Sequence, residues 1–497
     1  MTGQHAAPSA SVPPLGALGT AAALRRGELD ARDLIGTTLA AAHDRGAAHG
    51  AFAHLLEERS HRQAEAAHAV ITAACRAGTL EELAARRPLL GVPLPIKDLT
   101  RIAGEPFEAG SVLLRGNRAE VTDGVAQRLL DAGTVTIGKT STPEFGMPCY
   151  TEPATGAPAR TPWDPRRTAG GSSGGAGAAV ASGVVPLAHG SDGGGSVRIP
   201  AACCGLVGIK PSRGRISPGP HGGEGMGLVT DGILARSVVD AAAGLDLIAG
   251  PGPGDYLSAP GSALAPGAFT AAAQGPEPQA LRIGVLTAPL AAETAVHPAA
   301  LRGVERARAL LEALGHELVE VPAPFTPEQW RSFMPLWTVG AATIEVPEER
   351  EGELMELTRW LRAQGRDCSG TELATAFAGV QALVRRTGQA WAELGLDVVL
   401  TPSLAAPPAL PETLQRPSGA DDFDAQCAFT PWTSSWNMFG WAAISVPLHR
   451  EEIEGTLLPF GVQLGGTRPG TEAQLLALAA QLEATDPWPL LPPEPAA

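Results

Sequence analysis

At 497 residues the chain is long enough for a large buried core, and 44% hydrophobic with 18% charged residues is the composition of a water-soluble globular protein. It carries 37 basic against 52 acidic residues, a net charge of −15, and no basic stripe interleaved with aromatics, which excludes an electrostatic footprint for nucleic acid. No apolar run is long enough to cross a bilayer, and the opening residues lack the basic start of a secretory leader. Six cysteines without a CxxC pair read as reduced thiols, so a cytoplasmic protein is expected.

The first elements are helical: Leu18, Leu24, Leu29, Leu34 and Leu39, then Leu55 and Leu56, recur in Ala-rich surroundings over 15–75. Six of the eleven histidines fall before residue 70, at irregular spacings that give no metal site. PLLGVPLPIKDL (88–99) is a proline-broken apolar run that predicts an extended segment holding Lys97. VAQRLLDAGTVTIGKT (125–140) predicts a helix, a cap at Gly133 and a strand holding Lys139. Residues 249–280, rich in Pro and Gly, read as a surface connection without a packed element. LRIGVL (281–286), HELVEV (316–321), LDVVLTPS (396–403), AISVPL (443–448) and FGVQLGG (460–466) predict strands; 297–314 and 471–483 predict helices. This alternation predicts α/β layers around one sheet.

Between these elements lies GGSSGGAGAAVASGVVPLAHGSDGGGSVRIPAACCG (170–205), where two glycine clusters each hold serine. Glycine loses the most conformational entropy on folding, so this density needs a local reason. A phosphate loop would need GxxxxGK[ST], and no such lysine follows GGSSGG. Structural turns alone account poorly for two clusters. Three glycines directly before Ser196 would let backbone N–H groups converge on one point, as an oxyanion requires.

A nucleophilic serine needs a base. His189, with Asp192 near it, is one candidate, but no GxSxG elbow surrounds either serine and the histidine reads as structural. The other is a lysine in apolar surroundings, whose neutral amine becomes accessible through desolvation. Lys97 follows VPLPI and precedes an Asp–Leu pair; Lys139 has a similar setting with no Asp beside it in sequence.

GVPLPIKDL, DAGTVTIGKTSTPEFG, RTPWDPRRTAGGSSGG, GSDGGGSVRIPAACCGLVGIKPSRGR and LDVVLTPS together resemble the amidase signature family, in motif order, from about residue 15 to 488. The wording around SDGGGS is closer to the branch that includes cyclic-amide hydrolases such as the 6-aminohexanoate cyclic dimer hydrolase. The resemblance implies one large mixed β-sheet covered by helices on both faces, in a single domain over 15–488. Its catalytic core would span about 85–248 and its substrate side about 281–488, with flexible ends at 1–14 and 489–497. It also implies a Ser–cisSer–Lys group on Lys97, Ser172 and Ser196, which stand 75 and 24 residues apart. The oxyanion donors would be the amides of Gly193, Gly194, Gly195 and Ser196, and no metal or organic cofactor is required. Asp192 and Arg198 are expected to form a buried pair that supports the loop.

The expected activity is hydrolysis of carboxylic amides, linear or cyclic, with apolar substituents, through a serine acyl-enzyme. A small-molecule amide is the expected partner, and a homodimer is compatible with the sequence. Within the family the rival is an aminoacyl-tRNA amidotransferase subunit; outside enzymes it is a catalytically silent scaffold. The chain departs from the family where many members carry a late Gly-Gln-Pro turn and this one reads NMFGWAAISVPL. Eight of nine tryptophans lie at or after 330, and the aromatic run PWTSSWNMFGW (431–441) suggests a pocket wall made by Trp432, Trp436 and Trp441.

Overall fold

In the computed structural model, which describes residues 15–223, 226–261, 264–275 and 279–492, two sheets organise the chain. The first is small: β1 (Phe52–Leu55) pairs antiparallel with β3 (Gly138–Thr140), which pairs parallel with β2 (Ile96–Lys97). The second has eight strands. In chain order they are β4 (Leu187–Asp192), β5 (Val207–Lys210), β6 (Thr230–Ala235), β7 (Arg282–Val285), β8 (Glu317–Glu320), β9 (Val398–Pro402), β10 (Ala443–Ile453) and β11 (Thr456–Gly466). Their spatial order is β4-β6-β5-β10-β11-β9-β7-β8. The pairings from β4 to β9 are antiparallel, and β7 runs parallel to both β9 and β8, so the sheet is mixed as expected. The extended segment expected at Lys97 and the strand expected at Lys139 are both present, but they pair in a small sheet of their own, apart from the one large sheet expected.

Period-two alternation divides the core into two layers. Leu187, Ile233, Val398 and Leu400 belong to one cluster with the helices Val238–Ile248, Pro298–Ala313 and Glu472–Thr485. Their strand neighbours Ala188 and Leu234 point the other way, into a cluster with the helices Gly174–Ala181 and Arg198–Cys204. Val399 joins a third, aromatic cluster on that side, built mainly by residues 286–443. Helices therefore cover both faces.

The helix GGAGAAVA (174–181) is buried throughout, and its glycines are what let it approach so closely. A Cβ at Gly175 would lie 2.3 Å from the Ser141 backbone nitrogen, and one at Gly177 3.1 Å from the Cys204 sulfur.

One expectation fails here. Residues 249–280 contain a packed helix, Ala268–Gln274, whose Phe269 is buried against the core. Its cap comes from elsewhere: the Asp246 carboxylate accepts from the backbone N–H of Phe269 and Thr270 and from the Thr270 hydroxyl, at 2.7–2.9 Å. No local signal announces a cap supplied from 22 residues upstream. Of the flexible ends expected at 1–14 and 489–497, residues 1–14 and 493–497 lie outside the described residues; Trp488, at the expected end of the domain, is packed and donates to the Arg236 carbonyl at 3.0 Å.

Candidate active site

Lys97 ends β2, and strand alternation sends it and Asp98 in opposite directions. The Lys97 amine donates to Ser172 Oγ at 2.7 Å and to Ser191 Oγ at 3.1 Å, with the Ser191 carbonyl at 3.4 Å. All three partners are neutral oxygens. Burial lowers its pKa from the ordinary lysine value to about 7; Asp192 and Asp231 oppose this from a distance without reversing it. The carboxylate next to it in sequence serves a different lysine: Asp98 accepts from Lys139 at 2.7 Å in a fully buried ion pair. Lys139, which lacks an Asp nearby in sequence, is thus the salt-bridged one, and Lys97 is not.

Ser172 follows a cis Gly171–Ser172 peptide bond. The two glycine clusters meet here, because the Ser173 N–H donates to the Ser196 carbonyl at 3.1 Å. Ser196 retains 9% exposure and, with Ser172, lines one cleft of about 610 Å³. Ser191, which the sequence reading did not single out, completes the surroundings of the lysine. Its only signal is its position beside the second cluster.

The loop Asp192–Ser196 is shaped by one carboxylate. Asp192 accepts from the backbone N–H of Gly195 at 2.8 Å and of Val197 at 3.2 Å. Arg198 holds it from the other side through two hydrogen bonds of 2.8 and 3.0 Å, so the expected buried pair is present. The remaining guanidinium donors reach the Thr433 carbonyl, Gln463 Oε1 and Asn437 Oδ1 at 2.6–2.7 Å, which anchors the loop to β11 and the helix Thr433–Phe439. Burial disfavours the Asp192 charge, but Arg198 outweighs it and holds the carboxyl well below the usual range. Lys210, at the end of β5, is a further buried lysine that burial and the nearby Arg198 push down to about 7.

This arrangement corrects the expected set of oxyanion donors. The Gly195 N–H is consumed by Asp192, whereas among the described residues no hydrogen bond occupies the N–H of Gly193, Gly194 or Ser196. Gly195 serves shape instead: its φ is +131°, and a Cβ there would lie 2.4 Å from Thr433 Oγ1. His189 is buried in β4 with both ring nitrogens engaged, one by the Lys97 backbone N–H at 3.4 Å and the other by Asp231 at 2.9 Å. It supports the lysine strand, and among the described residues its ring makes no hydrogen bond to Ser172 or Ser196.

The tryptophan expectation is also corrected. Trp432 and Trp436 are fully buried and donate to the Ala288 and Gly466 carbonyls, and Trp441 packs on Phe439 with ring centroids 4.7 Å apart. None of the three lines the cleft or the smaller cavity beside it. The reason for Trp436 and Trp441 is packing, since both meet Trp391. The helix Thr433–Phe439 turns Trp436 and Phe439 inward onto Trp391, while Thr433 faces the glycine loop and donates to the Gly194 carbonyl at 2.7 Å. The tryptophans at the site are Trp330 and Trp337, from an earlier helical stretch.

The Amidase family model matches residues 34–476. AmiB2 of Mycobacterium tuberculosis is 39% identical over 405 residues, covering 81% of this chain and 83% of the relative. The 6-aminohexanoate-cyclic-dimer hydrolase of Paenarthrobacter ureafaciens is 36% identical over 427 residues, 81% of this chain and 84% of that one. A solved structure of 6-aminohexanoate cyclic dimer hydrolase complexed with substrate superposes with a TM-score of 0.83 at 30% identity, over 95% of this chain and 97% of that one. The matched span holds both sheets and both glycine clusters, and on it the chain belongs to the amidase signature family, hydrolases of the carboxylic amide C–N bond.

Proposed function

We propose that this chain cleaves its amides through an acyl-enzyme on Ser196, with Lys97 and Ser172 as a proton relay. The observation that carries the reading is the 2.7 Å contact between a buried, uncompensated Lys97 and Ser172, which shares a cleft with Ser196. A neutral amine is a base; an ammonium paired to a carboxylate, as at Lys139, is not.

In the first step Ser196 Oγ attacks the amide carbon and its proton passes to Ser172 Oγ, whose own proton passes to Lys97 Nζ. The carbonyl oxygen gains the electron pair and sits against the N–H groups of Gly193, Gly194 and Ser196. Collapse breaks the C–N bond as Ser172 protonates the departing nitrogen and Lys97 returns its proton to Ser172. Water then attacks the ester, losing a proton to the same relay, and the carboxylic acid leaves as Ser196 recovers its hydrogen. Asp192 and Arg198 hold the loop and take no proton.

The substrates we propose are amides with apolar substituents. The relative's name puts a cyclic dimer on the list to be tested beside linear amides. Amine release from such a panel, measured on the purified chain alone, separates an independent hydrolase from an amidotransferase subunit or a silent scaffold. A fluorophosphonate probe is expected to label wild type at Ser196 and to leave Ser196→Ala unmodified. Labelling of Ser173 or of a cysteine in place of Ser196 would overturn the assignment.

A further inference from the structure

Two cavities of unequal size and chemistry meet at Ser196. The cleft measures about 610 Å³, and its wall carries Arg101, Asp123, Asp231 and Ser191 as well as Ser172. The second cavity measures about 60 Å³ and is lined largely by Met147, Trp330, Phe333, Trp337, Phe423 and Cys427. Apart from Ser196, each of its polar side chains already has a hydrogen-bond partner within the protein. Gln426 accepts from the Cys149 N–H at 2.7 Å and donates to Asp422 at 2.5 Å; Thr430 donates to the Gln426 carbonyl at 2.9 Å; Ser434 accepts from Trp330 Nε1 at 3.0 Å. A polar guest would find poor company there and would lose its hydration. Gly193, Ser196, Met147 and Trp337 border both cavities, so Trp337 stands at the partition.

Ser172 decides which half of the substrate goes where. It lines the cleft and not the small cavity, so a nitrogen that receives its proton must lie on the cleft side. The acyl carbons, on the opposite side of the carbonyl, then point into the small cavity. An apolar cavity of about 150 Å³ accommodates a benzene ring, so one of this size admits about two or three carbons and refuses a ring.

We infer that the small cavity is the acyl pocket, that it selects short aliphatic acyl groups, and that Trp337 is the residue that sets this limit. The inference rests on the roles of Ser196 and Ser172 given above. The amine side is permissive, because the cleft has ten times the volume and mixed polarity.

The test is a series of 4-nitroanilides with acetyl, propionyl, butyryl, hexanoyl and benzoyl groups, which vary the acyl part and keep one leaving amine. For wild type, kcat/KM is expected to rise about fourfold per methylene from acetyl to butyryl, as each added CH2 is buried, and to fall at least tenfold for hexanoyl and benzoyl. Trp337→Ala is expected to raise the last two at least tenfold relative to butyryl. Cys427→Leu, which adds bulk to the lining of the small cavity, is expected to bring butyryl down to the acetyl level. A wild-type rate that climbs without a break through hexanoyl or benzoyl overturns the inference, as does an unchanged ranking in either folded variant. Should Trp337→Ala fail to fold, the wild-type series and Cys427→Leu still decide. Ser196→Ala is the separate control: nitroaniline release undiminished in that variant would refute the nucleophile assignment, a failure distinct from a wrong acyl ranking.

Discussion

Replacing Lys97 tests the reading at its most exposed point. The structure puts this amine out of contact with water and gives it no carboxylate partner, and its pKa falls from 10.5 to about 7. A displacement of that size corresponds to roughly 5 kcal/mol against the ammonium. Arginine cannot shed its charge, so Lys97→Arg is expected to be inactive and to fall behind wild type in stability as the pH rises from 7, by roughly 5 kcal/mol near pH 10.5, where the lysine has shed its proton and arginine has not. Methionine carries no charge and nearly fills the space, though it leaves Ser172 and Ser191 without a donor. Lys97→Met is therefore expected to fold at least as stably as wild type at pH 7, to fall below it by no more than about 2 kcal/mol at high pH, and to lose about 10²–10⁴-fold in kcat/KM. In wild type the neutral amine predominates above pH 7, so kcat/KM on an anilide is expected to rise through an inflection near 7, with about a tenth of the plateau at pH 6. Stability moves the same way: between about pH 7 and the ordinary lysine value the unfolded chain holds a proton that the folded one has shed, so ΔG of unfolding increases with pH in that window. Lys210 also lies near 7, and Lys210→Met serves as the control, which is expected to keep the kinetic inflection. A profile flat from pH 5 to 8, or a Lys97→Met enzyme with more than about a tenth of wild-type kcat/KM, would refute the reasoning.

Adjacent glycines are expected to differ sharply. Gly195→Ala places a Cβ 2.4 Å from Thr433 Oγ1 at a φ of +131°, and melting temperature and activity should both fall, while Gly194→Ala meets nothing closer than Ser434 Cβ at 4.0 Å and should melt like wild type. Arg198→Leu leaves Asp192 buried without its counter-charge and should cost about 3–5 kcal/mol in a denaturant titration; a loss under 1 kcal/mol would mean that Asn437 and the loop amides suffice. Trp441→Ala should cost about 3–5 kcal/mol of stability and leave the order of anilide substrates unchanged, since that ring contacts Phe439 and Trp391 and lies outside both cavities.

Residue type and spacing determined a good deal by themselves. The five strands placed between 281 and 466 recur in the structure: four are short apolar runs whose length and flanking turn residues favour a strand over a helix, and Glu317–Glu320 is half exposed and was marked by its alternation. The glycine clusters at Ser172 and Ser196 stand out in the sequence because backbone that must approach so closely tolerates only glycine, whereas the choice of Lys97 over Lys139 rested on the family resemblance. Contacts between distant segments were decided only by the tertiary structure. Asp98 follows Lys97 in sequence, yet it pairs with Lys139, 41 residues on, because successive strand residues face opposite ways. The Gly195 amide looks like its neighbours until Asp192 turns back to claim it. The tryptophans of 431–441 have an aromatic composition suited to pocket or core alike, and the choice fell to packing: Trp436 and Trp441 both meet Trp391, from the helix 370–393 far back in the chain, and it is Thr433 that meets the glycine loop. Local preference is a property of a residue and its neighbours in the chain; partner and direction belong to the packing, which no single stretch of sequence contains.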